Sequence, residues 1–117
     1  MARYEHLPIY KKVYDLILYF FKLSRGFPKD YKYGLAQDIG SLLTSLLDRV
    51  VEANNNEDKT DELTKGLVTI ERIKLKARLL HDLKVMNIKS YKFFFEQLIE
   101  ISIQFGKWQL WSKKGRS

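Results

Sequence analysis

The apolar positions of this chain fall into four long runs at helical spacing, and each run carries more apolar surface than one face of a bundle uses. The third run, residues 61–85, shows it most clearly. At about 3.6 residues per turn, Leu63, Gly66, Ile70, Ile73, Ala77, Leu80 and Lys84 share one face, apolar except for the last. Val68, Leu75 and Leu79 fall on the opposite face. Lys65, Arg72 and Lys76 line one border of that second stripe, and Lys74 and Arg78 lie towards the other. A helix in a monomeric bundle needs one apolar face and a polar back. Two stripes imply a second contact.

The other runs follow the same logic. Pro8 suits the first turn of a helix, where its missing N–H has no partner to lose. Ile9, Val13, Leu16, Phe20, Leu23 and Phe27 then recur as a core face, with Tyr10, Tyr14, Ile17 and Phe21 as an adjacent strip. Gly26-Phe27-Pro28-Lys29-Asp30 breaks the helix. A second run carries Leu35, Ile39, Leu42, Leu43, Leu46 and Val50. The polar stretch Asn54-Asn55-Asn56-Glu57-Asp58-Lys59 reads as a loop, and Thr60-Asp61-Glu62-Leu63 as a helix start with acids near the N-terminal dipole. Met86-Asn87 closes the third run, and Asn87 or Ser90 caps the fourth. There Tyr91, Phe94, Phe95, Leu98, Ile101, Ser102 and Phe105 face the core, and Ile99, Ile103, Gly106 and Leu110 form another second stripe. The expected helices are 8–25, 31–54, 60–85 and 88–111, with 112–117 a flexible basic tail. Short connections imply antiparallel neighbours. The predicted architecture is therefore all-α, an up-down-up-down four-helix bundle filling one domain, residues 1–117. The surplus stripes predict a homo-oligomer whose interface holds Val68, Leu75, Leu79, Ile99, Ile103, Gly106 and Leu110.

Charge adds a partner to this picture. The formal net charge is +7 over 117 residues, unevenly placed. Residues 31–62 hold three Lys/Arg against seven Asp/Glu, whereas 63–87 and 88–117 each hold six against two. Such a balance favours acidic partners, nucleic acid first, and against it stands the plainer reading of lysine-rich solvated faces. The candidate phosphate-binding residues are Lys65, Arg72, Lys74, Lys76, Arg78, Lys84, Lys89 and Lys92. Tyr31, Tyr33, Trp108 and Trp111 are candidates for base stacking, or else for burial in the core or between subunits. The chain has no cysteine, so no disulfide framework or thiolate metal site. No secretory signal pattern opens the sequence and no run approaches the length of a membrane span, so the expected compartment is the cytoplasm, without membrane contact.

The residues offer little to catalysis. Neither of the two histidines has a Glu three residues before it, as a bundle di-iron site needs. His81-Asp82 matches a metal phosphohydrolase in two letters only, and a surface histidine beside an aromatic is the better reading. No strand precedes a Gly-rich phosphate loop. Gly34, Gly40, Gly66 and Gly106 read instead as places where helices approach closely. The expectation is a non-enzyme with no catalytic residue, no metal and no cofactor.

Four stretches together resemble a known bacterial family. They are Leu7-Pro8-Ile9-Tyr10-Lys11-Lys12-Val13-Tyr14-Asp15-Leu16, the turn Arg25-Gly26-Phe27-Pro28-Lys29-Asp30-Tyr31-Lys32-Tyr33, Leu79-Leu80-His81-Asp82-Leu83-Lys84, and Glu100-Ile101-Ser102-Ile103-Gln104-Phe105-Gly106-Lys107-Trp108. The family joins proteins encoded within large-subunit ribosomal RNA intervening sequences to the accessory variability determinant of diversity-generating retroelements. The tyrosine-rich first turn and the junction Lys-Val-Met-Asn-Ile-Lys, residues 84–89, look more like the retroelement branch. That resemblance implies a ring-like, pentameric barrel of basic four-helix subunits. It also implies binding to a reverse transcriptase and to RNA or DNA during mutagenic copying of a template repeat. The acidic segment 31–62 departs from an all-round basic surface and suggests that one part of the barrel faces away from nucleic acid. The other branch would make the chain a self-associating structural bundle with no retroelement role.

Overall fold

In the computed structural model, which describes residues 4–115, helices account for nearly all of the chain. A single 3-10 turn, Tyr4–His6, leads into α1 (Pro8–Ser24). A one-turn helix α2 (Lys29–Lys32) precedes α3 (Leu35–Asn55), followed by α4 (Thr60–Asp82) and α5 (Ile88–Gly115). The four long helices run antiparallel to their sequence neighbours in a rod with extents of 50 × 21 × 20 Å. α3 packs on α1 and α4, α4 on α5, and α5 back on α1, which closes the four-helix bundle the sequence predicts.

The core follows the faces read from periodicity, although Leu23, Leu35, Leu42, Tyr91, Phe95 and Ser102 of those faces are only half-buried at its edges. Ile9, Val13, Leu16 and Phe20 of α1 meet Ile39, Leu43, Leu46 and Val50 of α3; Leu63, Ile70, Ile73, Ala77 and Leu80 of α4; and Phe94, Leu98, Ile101 and Phe105 of α5, all buried. Phe20 and Phe94 lie 5.2 Å apart between ring centroids and tie α1 to α5. Phe27, Ala36, Ala53 and Met86 complete the buried apolar set. The last seals the α4–α5 end, with the His81 ring nitrogen Nδ1 3.0 Å from the Met86 carbonyl oxygen. His81 also stacks on Tyr91 at 4.7 Å and 5°, the surface histidine–aromatic pairing expected of it.

Four features differ from the sequence reading. The expected helix 31–54 is interrupted. Tyr33 and Gly34 separate α2 from α3, and a Cβ on Gly34 would come within 3.0 Å of the Asp30 carbonyl oxygen, so a glycine suits this turn. The third helix stops at Asp82 rather than 85. Val85 N–H donates to the Leu80 carbonyl and Lys84 N–H to that of His81, the paired bonds of a Schellman stop. This turns Lys84 to φ 63° and takes it off the helix face where periodicity put it. The fourth helix runs on to Gly115, and Ser112 is 3% exposed, because the periodicity of Leu98, Ile101, Phe105 and Trp108 carries that position inward. Of the expected tail, Arg116 and Ser117 lie outside the described residues. Finally, α3 carries no exposed large apolar side chain; its outer face is Gln37, Asp38, Ser41, Thr44, Asp48 and Glu52. Surplus apolar surface belongs to three long helices, not four.

Candidate nucleic-acid interface

The basic residues of α4 stand where helical spacing places them, but most are already engaged within the chain. Lys65 lies 3.8 Å from Asp61 and 3.7 Å from Glu62. Lys74 pairs with Glu71 at 2.7 Å and sits 5.4 Å over the Phe95 ring. Lys76 reaches Asp38 of α3 at 3.7 Å, and Arg78 meets Asp82 at 3.3 Å. Exposed pairs of this sort are each worth about 0–1 kcal/mol, so a phosphate can displace them, but every displacement frees a carboxylate close by. Arg72, Lys84, Lys89 and Lys92 are exposed and make no ion pair among the described residues. The eight candidates therefore divide into four neutralised and four free.

Arg72 and Lys76 also border a shallow groove of about 510 Å³ between α3 and α4, with Asp38, Ser41, Leu42 and Leu75 as its other walls. Leu75 is 64% exposed there, and Val68 and Leu79 of the same stripe are exposed too. On α5, Ile103 and Leu110 are exposed and Ile99 is half-buried. Gly106 is half-buried, and a methyl group placed on it would have no atom within 4 Å. The seven stripe residues thus lie on the outer surface of α4 and α5. Tyr14 and Leu18 are exposed on α1. Three helices thus expose apolar strips, and bases edge the one on α4.

The glycines divide in the same way. At Gly66 the Phe105 ring of α5 fills the space a side chain on α4 would need, and Gly40 receives the Phe21 ring. Gly106 makes no such approach within the chain, in contrast to the close packing its place in a helix predicts. Of the stacking candidates, Tyr31 packs against the core. Trp108 is half-buried beneath Lys59, whose Nζ is 5.7 Å from its ring. Tyr33 and Trp111 are 69% and 65% exposed.

The structure assembles a basic group that linear reading misses. The antiparallel topology puts the α1–α3 connection and the α4–α5 connection at one end of the rod, as the 4.7 Å contact of Tyr19 with Phe93 shows. Lys22, Arg25, Lys29 and Lys32 from the first connection thereby join Lys84, Lys89 and Lys92 from the third. None of the seven makes an ion pair among the described residues, and Asp30 is the one unpaired acid in these two connections. The first four are spread over 11 positions and form no run in the sequence, so only the topology reveals them. A cleft of about 350 Å³ opens beside them, lined by Phe21, Ser24, Arg25, Lys32, Tyr33, Ala36 and Gln37.

For chemistry other than binding, the described residues offer no cluster of three or more His, Cys, Asp or Glu able to hold a metal ion. Glu62, the most enclosed carboxylate of the ion pairs, is held by Arg49 at 2.7 Å between α3 and α4, a contact that joins helices. No helix among the described residues is long and apolar enough to cross a membrane. No curated protein matches the chain. A family model does: the bAvd-like model, that of bacterial accessory variability determinant-like domains, aligns with residues 7–111. That span takes in all four long helices up to Trp111, and this chain belongs to the bAvd-like family.

Proposed function

We propose that this chain is a non-catalytic accessory subunit of a diversity-generating retroelement. It acts as a homo-oligomeric ring, pentameric as the sequence resemblance implies. It holds a reverse transcriptase together with RNA or DNA while a template repeat is copied into mutagenised DNA. Membership of the bAvd-like family supports the accessory role. The observation that carries the rest is the pairing of exposed apolar strips with bases along α4. Val68, Leu75 and Leu79 supply adhesive surface, and Arg72, Lys65 and Lys76 edge it. Repeating that edge in every copy multiplies a modest patch into a continuous one, which raises avidity without any new contact. The chain brings position and charge; the polymerase brings the metal-binding carboxylates.

The test is co-expression with the reverse transcriptase of a diversity-generating retroelement, taken from beside this gene where one is found there, followed by light scattering and gel-shift titration against salt. The expected result is an oligomer that co-purifies with the polymerase, supports template-dependent DNA synthesis, and shifts RNA or hybrid with little sequence preference. Reversing the charge of Arg72 together with Lys76 should weaken binding and flatten its salt dependence. Arg72→Glu alone should do more than Lys76→Glu, because Lys76 is already shared with Asp38. An oligomer that retains no polymerase and shifts no nucleic acid at low salt would replace this reading with the structural, self-associating one.

A further inference from the structure

We infer that the cleft at the basic end of the rod is a binding site for an unpaired nucleotide of a single-stranded nucleic acid. The site is separate from the phosphate-binding edge of α4, although it rests on the reading above in taking nucleic acid as the partner. Three observations carry it. The first is free charge. Lys22, Arg25, Lys29, Lys32, Lys84, Lys89 and Lys92 gather at this end without an ion pair among the described residues, whereas Lys65, Lys74, Lys76 and Arg78 along α4 are neutralised by neighbouring acids. An incoming phosphate meets least competition here, and each cation it neutralises releases condensed counterions.

The second is an aromatic ring with an open face. Tyr33 is 69% exposed, the most of any large hydrophobic side chain described, and follows α2 at the cleft's rim. Lys32 Nζ lies over one face of the ring, 5.9 Å from its centroid, so a base would stack on the opposite face with a cation already in place across the ring. Phe21, 48% exposed, stands on the α1 side of the same cleft. The third is a polar edge. Gln37 is exposed on the first turn of α3 and offers both a donor and an acceptor to a base edge, while the Ser24 hydroxyl is committed to the Phe21 carbonyl. A ring to stack on, cations for the flanking phosphates and an amide for the base edge are what single-strand sites combine. A duplex keeps its bases stacked on one another and cannot use Tyr33. An acidic peptide would use the charge but not the stack, so the exposed ring favours the nucleotide.

The experiment titrates the purified oligomer with a single-stranded oligonucleotide carrying one fluorescent base analogue, and with a duplex of the same sequence. The expected result is quenching of the analogue and tighter binding of the single strand. Tyr33→Ala should weaken single-strand binding about tenfold, the loss of one base–aromatic stack, and abolish the quenching while leaving duplex affinity unchanged. Tyr33→Trp should restore both, and Arg25→Glu with Lys32→Glu should lower the salt dependence of the single strand. Circular dichroism of each variant confirms that the helices are intact. Unchanged single-strand affinity and quenching in Tyr33→Ala overturns the inference. So does equal binding of single strand and duplex that depends on Arg72 alone, an outcome that leaves the proposed function standing. Capture of an acidic peptide by a chain that shifts no nucleic acid overturns both.

Discussion

Phe105 occupies the space in which a side chain at position 66 would stand. A Cβ built on Gly66 overlaps Phe105 Cε2 and comes within 2.7 Å of Cδ2, and the ring itself is completely buried. The bare backbone of α4 at this point is therefore the socket for an α5 side chain.

Gly66→Ala tests that fit. Alanine gains about 1 kcal/mol of helix propensity over glycine, but overpacking a dense core costs about 1–3 kcal/mol, and here the obstacle is a ring fixed on all sides. The expected outcome is net destabilisation by about 1–2 kcal/mol in urea unfolding, relieved when Phe105→Leu is added. A more stable Gly66→Ala variant would refute the socket.

Gly106→Ala and Leu75→Glu separate fold from assembly. Nothing lies within 4 Å of a methyl group at Gly106, so the isolated subunit should gain up to about 1 kcal/mol in stability. If this glycine sits at a subunit seam, the same change loosens the oligomer. Leu75→Glu puts a charge on a side chain already 64% exposed in the monomer, so helicity should persist while light scattering reports dissociation. A wild type that is monomeric at micromolar concentration would remove the basis for both.

Lys84 is the one non-glycine residue with positive φ among those described. The left-handed conformation costs a side-chain-bearing residue roughly 1–2 kcal/mol, and glycine loses part of that advantage through its freer unfolded chain. Lys84→Gly should stabilise by about 0.5–1 kcal/mol, and thermal unfolding monitored by circular dichroism measures it.

Lys59 closes the end of α3 by donating to the carbonyl oxygens of Ala53 at 2.8 Å and Asn56 at 2.7 Å. Partial burial pulls its pKa below the ordinary 10.5. The unfolded chain then holds this proton more tightly than the folded one, so the folded state is penalised below the folded pKa. That penalty fades as pH rises through it towards 10.5. The stability difference between wild type and Lys59→Gln should therefore shift in favour of wild type with rising alkaline pH. A difference that falls over that window would contradict the assignment.

Helical periodicity alone locates the four core faces, because burial in a bundle repeats with the helix itself; Ile70 and Leu98 can be placed with no knowledge of their partners. It cannot stop α4 at Asp82, since the Schellman turn at Lys84 lacks the glycine that usually signals one. It overstates the apolar surplus of α3, where Leu42 and Leu47 are half-covered by neighbouring helices and leave a polar back. It reads charge along one helix, so the bases of α4 are visible and the pairing of Lys76 with Asp38 across the groove is not. The free cations of Lys22, Arg25, Lys29 and Lys32 come together with those of Lys84 and Lys89 only once the topology brings two distant connections to one end.

The polar back of α3 has a practical consequence. With adhesive strips on α1, α4 and α5, and with Gln37, Asp38 and Ser41 engaged near the start of α3, the end of that helix is left as a place where a foreign group meets none of these surfaces. Glu52 stands there, exposed and remote from the basic end, and the chain contains no cysteine of its own. A cysteine introduced at that position is thus a single thiol handle for a dye or spin label. With it, copies can be counted and their spacing measured while every sticky surface stays bare.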